Sequence, residues 1–322
     1  MTFVSQTQSA GKSSMAFLLD LLVLLGQLLK IFVETIISWI IPADYKSVAG
    51  EVCLITGAGN GMGRLMALNF AQRKAKLVLW DMDAEANKET GALVEQMGGT
   101  AFVDVCDVSD KEEIKKAAKR AREAVGDITI LVNNAGIVYA KEVLELSEKQ
   151  IEQTFKVNTL AHFWIVREFL PHMLKTNHGH IVTLASTVGL FASPGMPDYC
   201  SSKHAVVGFH QSLYYDLQNF KNNNIKTTLV CPYHVKTGMF RGVTVTHPWL
   251  VPSLTPTECV DSIMHAILTN RPFVAMPRLM YLVYNAATWL PMEAQTLCYR
   301  FLGADTAIRK FKPNRPYQLE DS

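Results

Sequence analysis

Two hydrophobic rhythms divide the chain. Residues 15–41, MAFLLDLLVLLGQLLKIFVETIISWII, are almost continuously apolar and stop at Pro42. From Val48 onward, short apolar runs of strand length alternate with stretches at helical period. The runs lie at 51–56, 76–81, 100–104, 128–133, 178–186 and 226–231. Helical patterns cover 65–72, 107–125, 147–175 and 199–220, and a capping-box signature at Thr255-Pro256-Thr257-Glu258 predicts a further helix over 255–270. Buried strands separated by crossover helices predict one α/β domain with a doubly wound parallel sheet. Ligands in such sheets sit beyond the carboxyl ends of the strands. That rule puts Thr56, Asp81, Asp107 and Asn134 on one rim.

The amino-terminal run would form a helix of about 40 Å, longer than a bilayer core of about 30 Å. Asp20, Gln27 and Glu34 recur every seventh residue and line one stripe, and Lys30 can pair with Glu34 one turn on. No small-x-small cleavage site precedes the folded region, which argues against a secretory signal. A membrane-anchor helix over 15–41 is the expectation; spanning and in-plane attachment both fit it. Burial in a soluble dimer interface is the alternative. Residues 1–14 read as a flexible polar tail.

Composition narrows the picture only modestly. Hydrophobic residues make up 49% of the 322 positions, and the net charge of +2 excludes nucleic acid as an expected partner. Lys115, Lys116, Lys119, Arg120 and Arg122 alternate with alanines and glutamates, the pattern of a solvated helix face. Neither the six cysteines nor the nine histidines form a metal-type spacing, so no metal is expected. Cys53, Cys106 and Cys231 fall in or beside apolar strands as small buried hydrophobes.

The chemistry begins at the first strand. It leads into Gly57-Ala-Gly-Asn-Gly61-Met-Gly63 and then a helical run. Glycines there allow a tight turn and a close backbone approach to a pyrophosphate, and the helix amino terminus offers free N–H groups. The strand before and the helix after make this a Rossmann-type dinucleotide site. Asp81, ending the second strand, can hydrogen-bond an adenosine ribose 2′-hydroxyl and would repel a 2′-phosphate, which favours NAD over NADP. Arg64 is a counter-signal, because a nearby arginine can bind that phosphate. Farther on, Tyr199 and Lys203 share one helix face at i,i+4, and Ser186 ends an apolar run upstream. An ammonium beside a phenol is expected to lower its pKa from about 10, toward the range of a base at neutral pH. Alone, such a pair is equally an ordinary helix-surface neighbour. With Ser186 and the glycine loop it describes hydride transfer between an alcohol and a nicotinamide.

Thr56-Gly57-x-x-x-Gly61-x-Gly63, Asn133-Asn134-Ala135-Gly136, and Asn158, Ser186, Tyr199 and Lys203 in that order resemble the short-chain dehydrogenase/reductases over residues 48–275. Leu77-Val-Leu-Trp-Asp81 and His178-Gly-His-Ile-Val-Thr183 look like the membrane-attached retinol and 17β-hydroxysteroid branch. Thr237-Gly-Met-Phe-Arg-Gly242 and Tyr299-Arg-Phe-Leu-Gly-Ala-Asp305 are most similar to its type-10 retinol dehydrogenases. The resemblance implies Tyr199 as base in oxidation and acid in reduction, with Lys203 tuning it and holding the nicotinamide ribose. It implies that Ser186 grips the substrate oxygen beside Tyr199 and that Asn158 completes a proton relay through water; the alternative for Asn158, which lies amid apolar neighbours, is to satisfy backbone groups at a helix irregularity. Thr56, Gly57, Gly61, Met62, Gly63, Asp81, Asp107, Asn134, Ala135, Gly136 and Thr237, with Tyr199 and Lys203, would hold the cofactor, NAD or else NADP.

The implied reaction is oxidation of a lipophilic alcohol, all-trans-retinol to retinal. A steroid or other lipid alcohol, and a weakly catalytic lipid-surface protein, are the rivals. The implied setting is the endoplasmic reticulum membrane or lipid droplets, with a cytosolic catalytic domain (48–276) in a homo-oligomer. The apolar residues of 273–303, in an extension over 277–322, would face a lipid substrate or the membrane, with ordinary core or dimer packing as the alternative. Arg278, Arg300, Arg309, Lys310 and Lys312 would suit an anionic surface or a solvated tail. Two features depart from the pattern. Pro232-Tyr233 stands where the family has Pro-Gly, and the chain is shorter than type-10 relatives across 97–100.

Overall fold

The computed structural model describes residues 14–40, 44–220, 223–243 and 245–303. The tail expected at 1–14, apart from Ser14, and the basic positions Arg309, Lys310 and Lys312 lie outside the described residues. The chain forms two units, Met1–Tyr45 and Lys46–Ser322.

The first unit is one helix, α1 (Ser14–Ile40), against an expected 15–41. Its stretch Ala16–Glu34 has a mean hydropathy of 2.2 and is nowhere buried, so by length and composition it can cross a membrane. Lys30 and Glu34 pair at 3.8 Å, as their spacing predicts.

The second unit holds a seven-stranded parallel sheet in the order β3-β2-β1-β4-β5-β6-β7. Its strands are β1 (Val52–Thr56), β2 (Lys76–Asp81), β3 (Thr100–Val105), β4 (Ile130–Asn133), β5 (His180–Leu184), β6 (Lys226–Pro232) and β7 (Phe273–Met276). β1, β4 and β5 are buried at every position, because helices cover both faces of the sheet. Helices α2 (Gly61–Gln72), α3 (Ala84–Gln96) and α8 (Pro256–Leu268) pack on one face through Met66, Phe70, Val94, Ile263 and Ile267. The other face carries α4 (Lys111–Val125), α5 (Glu148–Phe155), α6 (Ala161–Thr176) and α7 (Pro197–Gln218). There Ile114, Ile165, Phe169 and Leu213 pack on Leu54, Leu131 and Ile181. Two further helices, α9 (Leu279–Trp289) and α10 (Met292–Leu302), follow β7.

Local chemistry sets the helix starts. Asp83 and Asp110 cap α3 and α4 by accepting backbone N–H bonds. Reciprocal capping boxes open α5 (Ser147 with Gln150) and α8 (Thr255 with Glu258). The basic face of α4 is solvated and paired: Lys115 with Glu112, Lys119 with Glu123, Arg120 with Asp104 and Arg122 with Glu168. The short connection noted at 97–100 is a tight turn in which Gly98 takes φ +75°, where glycine fits without strain.

Two elements differ from the sequence reading. The helix expected across 147–175 is broken by a π-turn at Lys156–Leu160, whose widened ladder carries Asn158. β7 extends the sheet beyond β6, but its four residues are too short to separate from the apolar stretch that follows.

Candidate active site

The order of strands reverses between β1 and β4, and the glycine loop sits at that switch point. Thr56, at the end of β1, bridges the two strands: its Oγ1 accepts from Asn134 N and Ala135 N, both at 3.0 Å. Asn134 Nδ2 answers by donating to the carbonyls of Thr56 at 2.9 Å and Gly57 at 3.1 Å. A Cβ on Gly63 would fall on the Gly57 carbonyl, and one on Gly57, already at φ +65°, would meet Ala135 Cα at 3.0 Å. These contacts leave no room for side chains, so backbone N–H groups line the turn before α2. Met62 packs against the α2–α8 core, and Gly61 faces the Thr237 methyl at 3.9 Å from its Cβ position. The loop after β6 therefore closes over the glycine turn.

Asp81 is almost fully buried. Its carboxylate accepts from Gly59 N at 2.8 Å and Asp83 N at 2.9 Å. It thus braces the glycine loop and still has lone pairs for a ribose hydroxyl. Arg64, the counter-signal in the sequence, is engaged elsewhere. It donates to Gly59 O, Thr90 Oγ1, Ala86 O and Glu89, so it is a strut between α2 and α3 rather than a free phosphate ligand. Asp107 accepts from Ser109 N at 2.8 Å and stands one turn before α4.

The second group of residues converges where α7 crosses the ends of β4, β5 and β6. Tyr199 and Lys203 lie in the first two turns of α7, both buried, and Lys203 Nζ sits 5.7 Å from the phenol ring centroid. Nζ donates to Leu184 O at 2.9 Å. Ser186 follows β5; its hydroxyl accepts from Val188 N and donates to Pro232 O, and it lies near enough to the Tyr199 phenol to oppose a rise in its pKa. Asn158 is held at both amide atoms: Oδ1 accepts from Ile137 N at 2.8 Å, while Nδ2 donates to Ile137 O at 2.9 Å and Ser202 Oγ at 3.1 Å. Ser202 Oγ in turn donates to Tyr199 O at 2.8 Å. Gly136 lies between Asn158 Oδ1 and Lys203 Nζ, at 3.3 and 3.6 Å from its Cβ position, so a side chain there would separate them. Sequence reasoning overlooked Ser202, because a serine between Tyr199 and Lys203 carries no periodic or motif signal.

One electrostatic expectation is corrected. Lys203 does not hold the phenol below its usual pKa of about 10. Burial raises the Tyr199 phenol, with only the Ser186 hydroxyl opposing it. The reason is reciprocal: burial also lowers the Lys203 ammonium to about 8, and its nearest partner is a carbonyl, not the phenolate.

The entrance is apolar. Val138, Val188 and Phe240 pack against Met196, Tyr199 and Cys200, and the Phe240 ring meets the Tyr199 ring edge-on at 6.0 Å. A cavity of ≈ 520 Å³ opens beyond Phe240, bounded by Thr237, His234, Pro248 and Ser253. The β6–α8 loop that covers it is pinned by a bridge between Val235 and Leu254. Tyr233, the residue that departs from Pro-Gly, keeps a backbone contact, donating from N to Met276 O at 2.8 Å.

A model of the short chain dehydrogenase family matches residues 51–247. This chain belongs to the short-chain dehydrogenase family. The oxidoreductase is 45% identical to retinol dehydrogenase 10 of Homo sapiens, over 94% of this chain and 96% of the relative. Among solved structures, a short-chain dehydrogenase/reductase from Burkholderia phymatum in complex with NAD is 30% identical, with a TM-score of 0.68 over 85% of this chain and 100% of the other. An alcohol dehydrogenase from the archaeon Thermococcus sibiricus, complexed with 5-hydroxy-NADP, shares the fold at TM-score 0.62 and 23% identity, over 70% of this chain and 95% of that one. The dinucleotide fold and alcohol oxidoreductase chemistry read from the sequence therefore hold.

Proposed function

We propose that this short-chain dehydrogenase is a membrane-attached, NAD-linked enzyme that oxidises all-trans-retinol to retinal. The observation that carries the reading is the buried Tyr199 phenol, set between Ser186 and Lys203 at the floor of an apolar entrance. Likeness to retinol dehydrogenase 10 along nearly the whole chain supports the retinoid over a steroid.

In this mechanism Ser186 and Tyr199 hold the alcohol oxygen. Tyr199 takes the hydroxyl proton during oxidation and returns it during reduction. Ser186 steadies charge that develops on that oxygen. Asn158 fixes the backbone of Ile137 and, through Ser202, the first turn of α7, so it positions Tyr199, and it would complete a proton relay through water. The glycine turn, Thr56, Asn134, Ala135, Gly136, Asp107 and Thr237 form the cofactor cradle, and Lys203 holds the nicotinamide ribose. Asp81 selects NAD over NADP, since a 2′-phosphate would meet a buried carboxylate and Arg64 is already engaged. Bound in oxidised form, the nicotinamide supplies a hydride acceptor with a positive ring.

The exposed apolar length of α1 supports attachment to the endoplasmic reticulum membrane or a lipid droplet, where a lipophilic alcohol is dissolved. The outer faces of α9 and α10 carry exposed Leu282, Trp289, Met292 and Leu297, which suits the same surface. Assembly into a homo-oligomer is part of the proposal. An assay of membranes holding the full chain, with NAD or NADP and retinol or estradiol, tests it. Retinal formation with NAD is expected. Turnover of estradiol alone would move the substrate to the steroid class.

A further inference from the structure

We propose that Phe240, held edge-on against the Tyr199 ring by a clasp between His234 and Ser253, is a gate that admits slender primary lipid alcohols and turns away secondary ring alcohols. The inference rests on the dehydrogenase reading above and names what selects the substrate at its site. Three rings stand in contact at the entrance. Phe240 meets the Tyr199 ring at 6.0 Å with 78° between their planes, and it meets the His234 imidazole at 6.0 Å and 73°. Edge-to-face pairs attract at such separations. Phe240 is thus held from two segments, the first turn of α7 and the chain just after β6.

The wall made this way selects by shape. Val138, Val188 and Met196 pack around Tyr199 beside Phe240, and none of the four carries a hydrogen-bond donor in its side chain. A carbinol at the end of a planar polyene presents only a CH2 group beside its oxygen. A carbinol carbon within a saturated fused ring brings ring carbons on both sides and needs the space that the Phe240 ring fills. Exclusion of the wrong shape by a fixed side chain is a standard route to specificity.

The fastening of Phe240 lies at the base of its loop. His234 follows β6 and Ser253 precedes α8, and their side chains hydrogen-bond between Nδ1 and Oγ at 2.8 Å. The hydroxyl can donate or accept, so the bond forms with either imidazole tautomer. The backbone ties the same two segments: Leu254 N donates to His234 O and Lys236 N donates to Leu254 O, both at 2.9 Å. With its main chain and Nδ1 both fastened, the imidazole keeps one orientation and backs the Phe240 ring. Burial lowers its pKa, so at neutral pH it is an uncharged wall. Space for a displaced ring exists as well, because the ≈ 520 Å³ cavity is bounded by Phe240, His234 and Ser253 themselves. Once the clasp is cut, the Phe240 ring is free to move into that cavity and widen the approach to Tyr199.

The test measures kcat/KM for all-trans-retinol and for estradiol on one preparation of the full chain in detergent with NAD. The ratio of the two does not depend on the fraction of active protein, so partial misfolding leaves it unmoved. Phe240→Ala is expected to raise estradiol relative to retinol by at least about tenfold, the scale on which a pocket wall discriminates shapes. Where that variant does not fold, Phe240→Leu replaces it, with the same direction expected. Ser253→Ala removes the bond, and His234→Phe keeps a ring but loses the bond; each is expected to raise the ratio about three- to tenfold. Because both cut one bond, the double variant should do no more than either single one. An unchanged ratio in the Phe240 variant overturns the gate, and absent or additive shifts at His234 and Ser253 overturn the clasp. No NADH from either alcohol with the natural protein would instead sink the dehydrogenase reading.

Discussion

The Tyr199 phenol meets two opposed demands. Burial shields it from bulk water, and the same burial raises its pKa above about 10. The neutral phenol, the form that donates in reduction, therefore dominates at neutral pH. Oxidation needs the phenolate, so kcat/KM for retinol should climb with pH from 7 to 9, while reduction of retinal should hold or fall. A flat oxidation profile across that range would remove the phenol as base. Tyr199→Phe deletes the proton acceptor without altering ring packing against Phe240, so turnover should drop by about 10²-fold or more with NAD affinity little changed. Asp81→Ala should weaken NAD by about tenfold and NADP less, because only NAD gains a ribose partner from this carboxylate. Equal losses, measured by tryptophan fluorescence titration, would mean that Asp81 serves only as the brace to Gly59.

At the scale of elements, two irregularities build the site. The glycine turn lets β1 and β4 come together through Thr56 and Asn134 before α2 begins. Gly63→Ala would drive a methyl group into the Gly57 carbonyl. NAD binding should fall at least about tenfold, and the unfolding midpoint should drop as well, since Gly63 is buried and the turn's Ala58 belongs to the core. Ligand titration with thermal unfolding checks both halves of that expectation. The π-turn at Lys156–Leu160 is the second irregularity. It rotates Asn158 onto the Ile137 backbone, and a regular helix would carry that amide elsewhere. The glycine motif was legible in the sequence because glycine spacing reports backbone conformation directly. The π-turn was legible only in part: an asparagine among apolar neighbours needs backbone partners and so suits a helix irregularity, but the sequence does not say which kind.

Across the whole molecule, stability and function pull apart at Lys203. Burial lowers its pKa to about 8 from 10.5, so the folded state carries a penalty for holding it charged. That penalty is fully present below pH 8, is relieved as pH rises from 8 through 10.5, and amounts to roughly 3 kcal/mol. Lys203→Met should therefore be inactive, and its unfolding midpoint relative to the natural protein should be highest at pH 7 and decline toward pH 10. Half-buried Lys46, also lowered to about 8, adds the same slope to both proteins and cancels in the comparison. The second whole-molecule expectation concerns α1: the full chain should float with vesicles and resist carbonate extraction. Recovery in the soluble fraction would favour a dimer interface for that helix.

The sequence by itself determined the parallel α/β order, the helix caps, the anchor-like first helix and the identity of the chemical groups. Each is a local property: apolar period, capping pattern, glycine spacing and residue type are written in neighbouring positions. Tertiary structure decided what no local pattern holds. It engaged Arg64 with α3, turned Asn158 onto Ile137, reversed the expected shift of the phenol and brought His234 and Ser253 together beside Phe240. Those outcomes depend on burial and on contacts between distant segments, and such quantities exist only once the sheet has closed.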